Sequence, residues 1–121
     1  MELFYKFSIN AARRLPNLPA DHVCSRLHGH TFLVELHLSG EVDPDSGWVI
    51  DFAELEDPAK AVMSELEHQY LNDVDGLSNP TSENLAIWIW DKVYSAVAGL
   101  SEVVVAEGAD RGCRYRGPGK V

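Results

Sequence analysis

The chain has 121 residues with 45% hydrophobic and 24% charged content, which is typical of one globular domain with its own core. Its net charge of −9, with only 10 lysines and arginines, argues against a nucleic-acid surface, because such a surface needs clustered positive charge. No stretch approaches the roughly 20 apolar residues of a membrane span, and the N-terminus lacks a secretory leader pattern. We therefore expect a cytoplasmic protein that has neither nucleic acid nor a membrane as its partner.

The first predicted elements are a strand and a long loop. Alternating apolar side chains predict a half-buried strand over residues 2–10. Residues 11–27 contain two prolines and predict an irregular loop, of a length that is usually functional or disordered. Arg13, Arg14 and Arg26 form a local cationic group in this loop. Solvated surface charge and a role beside an anionic substrate are both open for that group.

A second strand is predicted over residues 28–39, and it brings two histidines to the enclosed side of the fold. His28 and His30 share the parity of the apolar residues of this strand, which are Phe32, Val34, Leu36 and Leu38. Because alternate side chains of a strand point to one face, the two imidazoles can converge on a single ligand. A polar group on an enclosed side needs a partner, which favours binding. His37 has the opposite parity and is expected at the surface.

The rest of the chain predicts an α+β fold. A turn and a short strand, two helices and two final strands are expected at residues 43–47, 48–51, 53–68, 79–98, 102–107 and 112–115. The second helix starts with cap-type residues and a first-turn carboxylate, as the helix dipole favours. The order β-β-β-α-α-β-β indicates an antiparallel sheet with two helices packed on one face.

Cys24 precedes the two histidines in a polar part of the predicted loop. Most free cysteines behave as small buried hydrophobes, but the positive charge of Arg26 and His28 would stabilise a thiolate here. We therefore expect a reactive thiol at Cys24 and a structural one at Cys113, since a reducing compartment disfavours a disulfide. The two histidines alone make a partial metal site, because catalytic zinc takes three protein ligands plus water. His22 is a candidate auxiliary ligand.

Two carboxylates are further candidates for chemistry. Glu67 and His68 are adjacent at the end of the first helix, where such a pair can relay protons. Neighbours on a helix do not face each other, so a solvated helix end remains the alternative. Glu107 closes an apolar strand with inward parity. It either reaches solvent or anchors a guanidine-like amide edge through two parallel hydrogen bonds.

Seven motifs occur in order along nearly the whole chain: Ala11-Ala12-Arg13-Arg14-Leu15-Pro16, Cys24-x-Arg26-Leu27-His28-Gly29-His30, Gly40-Glu41-Val42-Asp43, Gly47-Trp48-Val49-Ile50-Asp51-Phe52, Leu71-Asn72-Asp73, Asn79-Pro80-Thr81-Ser82-Glu83-Asn84 and Gly112-Cys113-Arg114-Tyr115-Arg116-Gly117. Together they resemble the 6-pyruvoyltetrahydropterin synthase family. The branch they resemble most is the bacterial 6-carboxytetrahydropterin synthase, which serves queuosine and deazaguanine biosynthesis. The combination is specific, although no single motif is.

The resemblance implies a fold, an assembly and a reaction. The fold is a single tunnelling-fold domain over residues 1–121, with a four-stranded antiparallel sheet and two helices on one side. Subunits of this kind oligomerise into a barrel, usually a homohexamer with sites between subunits. The implied reaction converts 7,8-dihydroneopterin triphosphate into 6-carboxytetrahydropterin, acetaldehyde and triphosphate, which makes the chain a lyase acting on a pterin.

The resemblance also implies roles for single residues. Cys24 matches the catalytic thiol, His68 matches the relay histidine, and Glu67 stands where the family has aspartate. Glu107 matches the carboxylate that holds the pterin ring, with Thr81 and Ser82 in the segment that lines the ring pocket. His28 and His30 match two of the three zinc ligands, and in the family zinc polarises the side-chain hydroxyls of the substrate.

Arg13 departs from this pattern, because it stands where the family has its first zinc-binding histidine. Arginine stays protonated and has no lone pair for a metal, so zinc is expected to bind weakly, at a cost to rate rather than to fold. Three interpretations follow: a synthase with an altered zinc site and a substitute ligand, a diverged paralogue in which Arg13 takes over part of the metal's charge, or a non-catalytic pterin-binding protein. We rank the synthase first because Cys24, His68 and Glu107 are all retained.

Overall fold

Four strands and two helices make up the fold, in a computed structural model that describes residues 1–121. The elements in chain order are β1 (Glu2–Arg13), β2 (His28–Ser39), α1 (Ala53–Leu66), α2 (Ser82–Val93), β3 (Leu100–Ala106) and β4 (Gly112–Tyr115). The strands form one antiparallel sheet in the order β1-β2-β3-β4. The expected α+β architecture, with a four-stranded sheet and two helices, is confirmed.

The core lies between one face of the sheet and the two helices. Inward-facing residues of β2 are fully or almost fully buried, as are the apolar stripes of α1 and α2; they include Phe32, Val34, Leu36, Leu38, Leu55, Val62, Leu66, Leu85 and Ile89. Burial of each such side chain stabilises the fold by about 1.5–3 kcal/mol. With 14 and 12 residues, neither helix combines the length and the apolar character that a membrane crossing requires.

Strand β1 is longer than the sequence predicts, and this places Arg13 in the sheet. The loop predicted over residues 11–27 starts three residues too early, since Ala11 pairs with His30 and Arg13 pairs with His28; residues 14–27 form the loop, with one 3₁₀ turn. On its other side β1 is held by residues 68–70: the backbone N–H of His68 donates to the Asn10 carbonyl oxygen at 2.7 Å, and Ala12 forms a parallel bridge with Tyr70. Residues 11–13 have no apolar alternation of their own. They continue the strand because they pair on both sides with residues that are distant in sequence.

Several predicted boundaries also differ. The strand expected at residues 48–51 is absent, because the preceding turn closes on itself through the bond from the Asp43 N–H to the Trp48 carbonyl oxygen and the segment pairs with no strand. Helix α1 ends at Leu66, and His68 has a left-handed backbone with φ 59° that ends the helical path. Helix α2 ends at Val93 rather than near residue 98, and β3 ends one residue before Glu107.

His37 lies on the outer face of the sheet, as its parity predicts, but it is only 8% exposed. The expectation of a surface histidine is therefore wrong. Its Nδ1 lies 2.8 Å from a carboxylate oxygen of Glu2, its Nε2 lies 3.7 Å from Glu35, and its ring packs at 5.7 Å from that of Phe4. Neighbouring strands cover the imidazole, although no helix lies on this face.

Candidate functional site

Arg13, His28 and His30 form a group on the inner face of the sheet, where β1 ends and β2 begins. Arg13 lies opposite His28 in the antiparallel register, and His30 follows on the same face of β2. The two imidazole rings meet edge to face, with centroids 4.8 Å apart, and the His30 ring is 5.6 Å from Phe32. The two histidines lie together on one face, as the strand parity predicts, and Arg13 lies beside them.

The side chain of Arg13 is buried, with 3% exposure. Its Nη2 donates to Oε1 of Glu107 in a close ion pair, and its Nη1 donates to the carbonyl oxygen of Pro80 at 3.1 Å. The guanidinium carbon lies 5.0 Å from the centre of the Phe32 ring, while Nε has no partner. A buried charge needs a paired counter-charge, so the Arg13 side chain is committed to this position.

Glu107 is the counter-charge, and it reaches the group from the loop after β3. Its Oε1 contacts Arg13 and lies 3.7 Å from Nε2 of His30. Burial acts to raise the pKa of the Glu107 carboxyl, but the adjacent Ser82 hydroxyl and the Arg13 guanidinium outweigh it and hold that pKa below its usual range. The carboxylate is therefore ionised at neutral pH.

Ser82 and Thr81 differ in what their hydroxyls do. The Ser82 hydroxyl is buried and lies close enough to the Glu107 carboxylate to lower its pKa, and it has no other partner. The Thr81 hydroxyl caps α2 by accepting the N–H of Asn84 at 3.1 Å. Of the two residues expected in a ring pocket, Ser82 lies beside Glu107, and Thr81 holds the start of the helix.

The two imidazoles present nitrogen lone pairs. Nδ1 of His28 lies 2.6 Å from the carbonyl oxygen of Arg26. Because a carbonyl only accepts, Nδ1 carries a proton, and the other ring nitrogen, Nε2, is buried without a partner. Burial and then the Arg13 charge lower the pKa of His30, against a smaller opposing effect of Glu107.

These residues do not fit a zinc centre of the implied kind. Catalytic zinc takes three protein ligands, with nitrogens at about 2.0–2.1 Å. No three His, Cys, Asp or Glu side chains converge as a metal site requires, and the third position is taken by the Arg13 cation. The candidate substitute His22 is used elsewhere, because its Nδ1 accepts the backbone N–H of Cys24 at 3.0 Å.

Glu67 and His68 lie beside the edge of β1, next to the histidine group. Their side chains are in contact, with Nε2 of His68 at 3.3 Å from Oε1 of Glu67, so the left-handed turn at His68 brings together neighbours that a helix would keep apart. Asn10 fixes the carboxylate by donating its side-chain and backbone N–H groups at 3.0 and 3.2 Å, and it lowers the pKa of Glu67. His68 and His30 line one shallow surface depression. No local sequence pattern identifies Asn10 as the residue that holds the Glu67 carboxylate.

Cys24 lies in a short 3₁₀ turn, Val23–Ser25, and it is partly exposed. Its carbonyl oxygen accepts the N–H of Leu15 at 2.9 Å, and Nε of Arg14 donates to the Ser25 carbonyl oxygen at 2.8 Å, so the end of β1 fastens this turn. Cys24 and Cys113 are both free thiols. No hydrogen bond or ion pair joins Cys24 to Glu67, His68 or Glu107 within the chain.

The chain is similar in sequence to a known protein family and to several of its relatives. A family model described as 6-pyruvoyl tetrahydropterin synthase matches residues 2–118. A 6-carboxy-5,6,7,8-tetrahydropterin synthase of Synechocystis is 39% identical over 127 residues, which cover 98% of this chain and 95% of the relative. A dihydroneopterin monophosphate aldolase of Pyrococcus furiosus is 40% identical over 73 residues, which cover 60% of each chain.

A solved structure supports the same assignment. The 6-pyruvoyl tetrahydropterin synthase of Caenorhabditis elegans superposes with a TM-score of 0.87 at 28% identity, covering 97% of this chain and 95% of that one. The family match extends over nearly the whole chain and includes the segments that carry the inner-face group, the Glu67–His68 pair and Cys24. The chain belongs to the 6-pyruvoyl tetrahydropterin synthase family.

Proposed function

We propose that the chain is a carbon–carbon lyase of the 6-carboxy-5,6,7,8-tetrahydropterin synthase type. It converts 7,8-dihydroneopterin triphosphate into 6-carboxytetrahydropterin, acetaldehyde and triphosphate, in queuosine or deazaguanine biosynthesis. The observation that carries this proposal is the 39% identity over 98% of the chain to a relative of that name. The remaining support comes from the chemistry of the side chains that the fold brings together.

Glu107 is suited to hold a pterin. The 2-aminopyrimidinone edge of a pterin presents parallel N–H donors, which a carboxylate accepts in a two-bond arrangement. The Glu107 carboxylate is ionised, and Arg13 engages its Oε1. Each carboxylate oxygen has two lone pairs, so Oε1 can accept one N–H of the ligand beside Arg13 while Oε2 accepts the other. A pterin without Glu107 would leave its own donors unpaired, which costs more than the hydrogen bonds gain.

The Glu67–His68 pair is suited to move protons. An imidazole titrates near neutral pH and can both take and return a proton. Glu67 lies against Nε2 of His68, and Asn10 holds the carboxylate in place. Cys24 is the proposed acid–base thiol. Because no hydrogen bond or ion pair joins it to this pair within one chain, we propose that a neighbouring subunit of a homohexamer supplies it.

The test is turnover of 7,8-dihydroneopterin triphosphate by the native chain and by Cys24→Ala, with products identified by mass and pterin affinity measured by fluorescence. We expect Cys24→Ala to lose turnover by about 10³-fold or more and to keep its pterin affinity. Cys113→Ala is the matched control and should keep turnover. Equal loss of turnover and affinity in Cys24→Ala would mean that this side chain shapes the pocket. Pterin binding without turnover in the native chain would indicate a binding protein.

Changed pterin chemistry is a second candidate. The Pyrococcus furiosus relative is named for an aldolase acting on dihydroneopterin monophosphate, and the Arg13 charge in this site favours an altered reaction at the substrate side chain. The same assay with the monophosphate distinguishes the two candidates. Release of acetaldehyde supports the synthase, whereas cleavage of the monophosphate alone supports the aldolase.

A further inference from the structure

We propose that Arg13 replaces a metal ion in this site. Its guanidinium supplies a fixed positive charge beside His28 and His30, and the native chain binds no zinc there. The zinc content of the folded chain can be measured without turnover, so its result is independent of the proposed lyase activity.

The sheet register makes position 13 the third corner of the histidine group. Arg13 lies directly opposite His28, and His30 is the diagonal neighbour on the same face. Directly opposite side chains of an antiparallel pair have their Cβ atoms about 4.5–5.5 Å apart, and diagonal ones about 7–8 Å apart. Three imidazoles at these positions would therefore point into one space. In this chain a guanidinium occupies the third corner of that space.

The character of the guanidinium opposes a metal cation. Arginine remains protonated in proteins and offers no lone pair. A histidine or lysine in this position could lose its proton when a metal arrives, but Arg13 cannot relieve the repulsion in that way. His28, whose Nε2 has no partner, is therefore paired across the strands with a permanent cation rather than with a third nitrogen ligand.

The Arg13 side chain cannot easily move aside, because its hydrogen-bonding and packing partners surround it. Pro80 and Glu107 accept its hydrogen bonds, the Phe32 ring lies against its plane, and only 3% of the side chain is exposed. Removal of the guanidinium would leave the Glu107 carboxylate without its counter-charge. Glu107 is also excluded as a substitute zinc ligand. If its carboxylate left Arg13 to bind zinc, Arg13 would become an unpaired buried charge.

The pair also explains how Glu107 keeps its orientation without a metal nearby. Arg13 holds Oε1 from within the chain, and the loop after β3 is closed by the bond from the Glu107 N–H to the Arg111 carbonyl oxygen at 3.1 Å. The guanidinium thus supplies the positive charge in this site and also positions an acidic side chain.

Metal content tests the proposal directly. The native full-length chain, Arg13→His and Arg13→Met are purified from zinc-supplemented cultures, and their zinc content is measured by mass spectrometry and by titration against a chromogenic chelator. We expect less than about 0.1 zinc per chain for the native protein and about one for Arg13→His, which completes a set of three imidazoles. Arg13→Met removes the charge without adding a ligand, and we expect it to bind zinc at least 100-fold more weakly than Arg13→His.

Folding is checked independently. Zinc should raise the unfolding temperature of Arg13→His and leave that of the native chain unchanged, since only a ligand that binds the folded state stabilises it. Cobalt in place of zinc gives a visible absorption spectrum that reports nitrogen coordination in Arg13→His. If Arg13→His does not fold, the native chain alone decides the question.

Three outcomes would overturn the proposal. Stoichiometric zinc in the native chain would show that Arg13 does not exclude the metal. A folded Arg13→His without zinc would show that position 13 is not the third corner. Zinc binding by Arg13→Met as tight as by Arg13→His would show that the third imidazole is not needed. Failure of the lyase assay would alter none of these measurements.

Discussion

At the scale of single residues, the site depends on which buried polar groups have partners and which do not. The Glu107 carboxylate is ionised and paired with Arg13, while the Ser82 hydroxyl beside it is buried without a hydrogen bond. A buried hydroxyl without a partner costs about 1–3 kcal/mol relative to one that is satisfied. The fold tolerates this cost at Ser82, which is consistent with a hydroxyl that a ligand satisfies.

The Ser82→Ala substitution tests that interpretation. Because the hydroxyl has no partner of normal hydrogen-bond geometry in the free protein, its removal should change the free energy of unfolding by less than about 1 kcal/mol. Affinity for neopterin should fall about fivefold, the equivalent of one hydrogen bond. Urea unfolding and fluorescence titration measure the two quantities.

Thr81→Ala is the matched control for Ser82→Ala. Thr81 caps α2, so its loss should destabilise the fold by about 1 kcal/mol with little effect on pterin affinity. If Ser82→Ala instead destabilises the fold as Thr81→Ala does, and neopterin affinity is unchanged, the Ser82 hydroxyl has a structural role and is not part of the ligand pocket.

At the scale of elements, the outer face of the sheet is held by cross-strand charge pairs rather than by a helix layer. Lys6 on β1 lies 3.0 Å from Glu35 on β2, and His37 lies 3.7 Å from the same carboxylate. Burial acts to raise the pKa of Glu35, but the hydrogen bond and charge of Lys6, together with His37, lower it below the usual value. A lowered carboxyl pKa stabilises the fold above the pKa of the unfolded chain, and this stabilisation is lost as the pH falls through the folded pKa.

Glu35→Gln should therefore reduce the free energy of unfolding by about 0.5–1 kcal/mol at pH 7. The difference from the native chain should shrink as the pH falls below the usual glutamate pKa of about 4.3 and on through the lower pKa of Glu35 in the folded chain. Urea unfolding across this pH range measures it. Glu56→Gln is the control, since Glu56 forms an exposed helix pair with Lys60 and should change stability by at most about 0.5 kcal/mol. A gap that stays constant with pH would mean that packing, not the charge pair, is lost.

At the scale of the whole molecule, sequence patterns predict the elements well and the joins between them poorly. The shared parity of His28 and His30 follows from alternation in one strand, and the structure has it. The extension of β1 to Arg13 depends on His28 and on residues 68–70, which are distant in the chain. The Arg13–Glu107 pair joins residues 94 positions apart, and no local pattern encodes such a contact. Local sequence does not predict the burial of His37 either, because the side chains that cover it come from a neighbouring strand.

Within one chain, the residues of the proposed site fall into separate groups. Arg13, His28, His30, Ser82 and Glu107 meet on one face, and Glu67 with His68 lies beside them, but no hydrogen bond or ion pair joins Cys24 to either group. The sheet is open, so the edges β1 and β4 carry backbone groups without strand partners. Edges of this kind pair readily with other chains. Both facts favour an assembly in which neighbouring subunits complete each site.

Complementation between two inactive variants tests this assembly. Cys24→Ala removes the thiol, and His68→Asn removes the relay histidine while keeping a residue that tolerates the positive φ of this position. If Cys24 and His68 of one site come from different subunits, some sites in a mixed oligomer contain both native residues. Random assembly from equal amounts should restore about a quarter of native turnover.

The variants are co-expressed with different affinity tags, mixed oligomers are isolated through both tags, and their mass is measured by light scattering. Each variant expressed alone is the control and should stay inactive. Mixed oligomers without turnover would show that Cys24 and His68 act from the same chain, and the loop carrying Cys24 would then have to move toward His68 when the substrate binds.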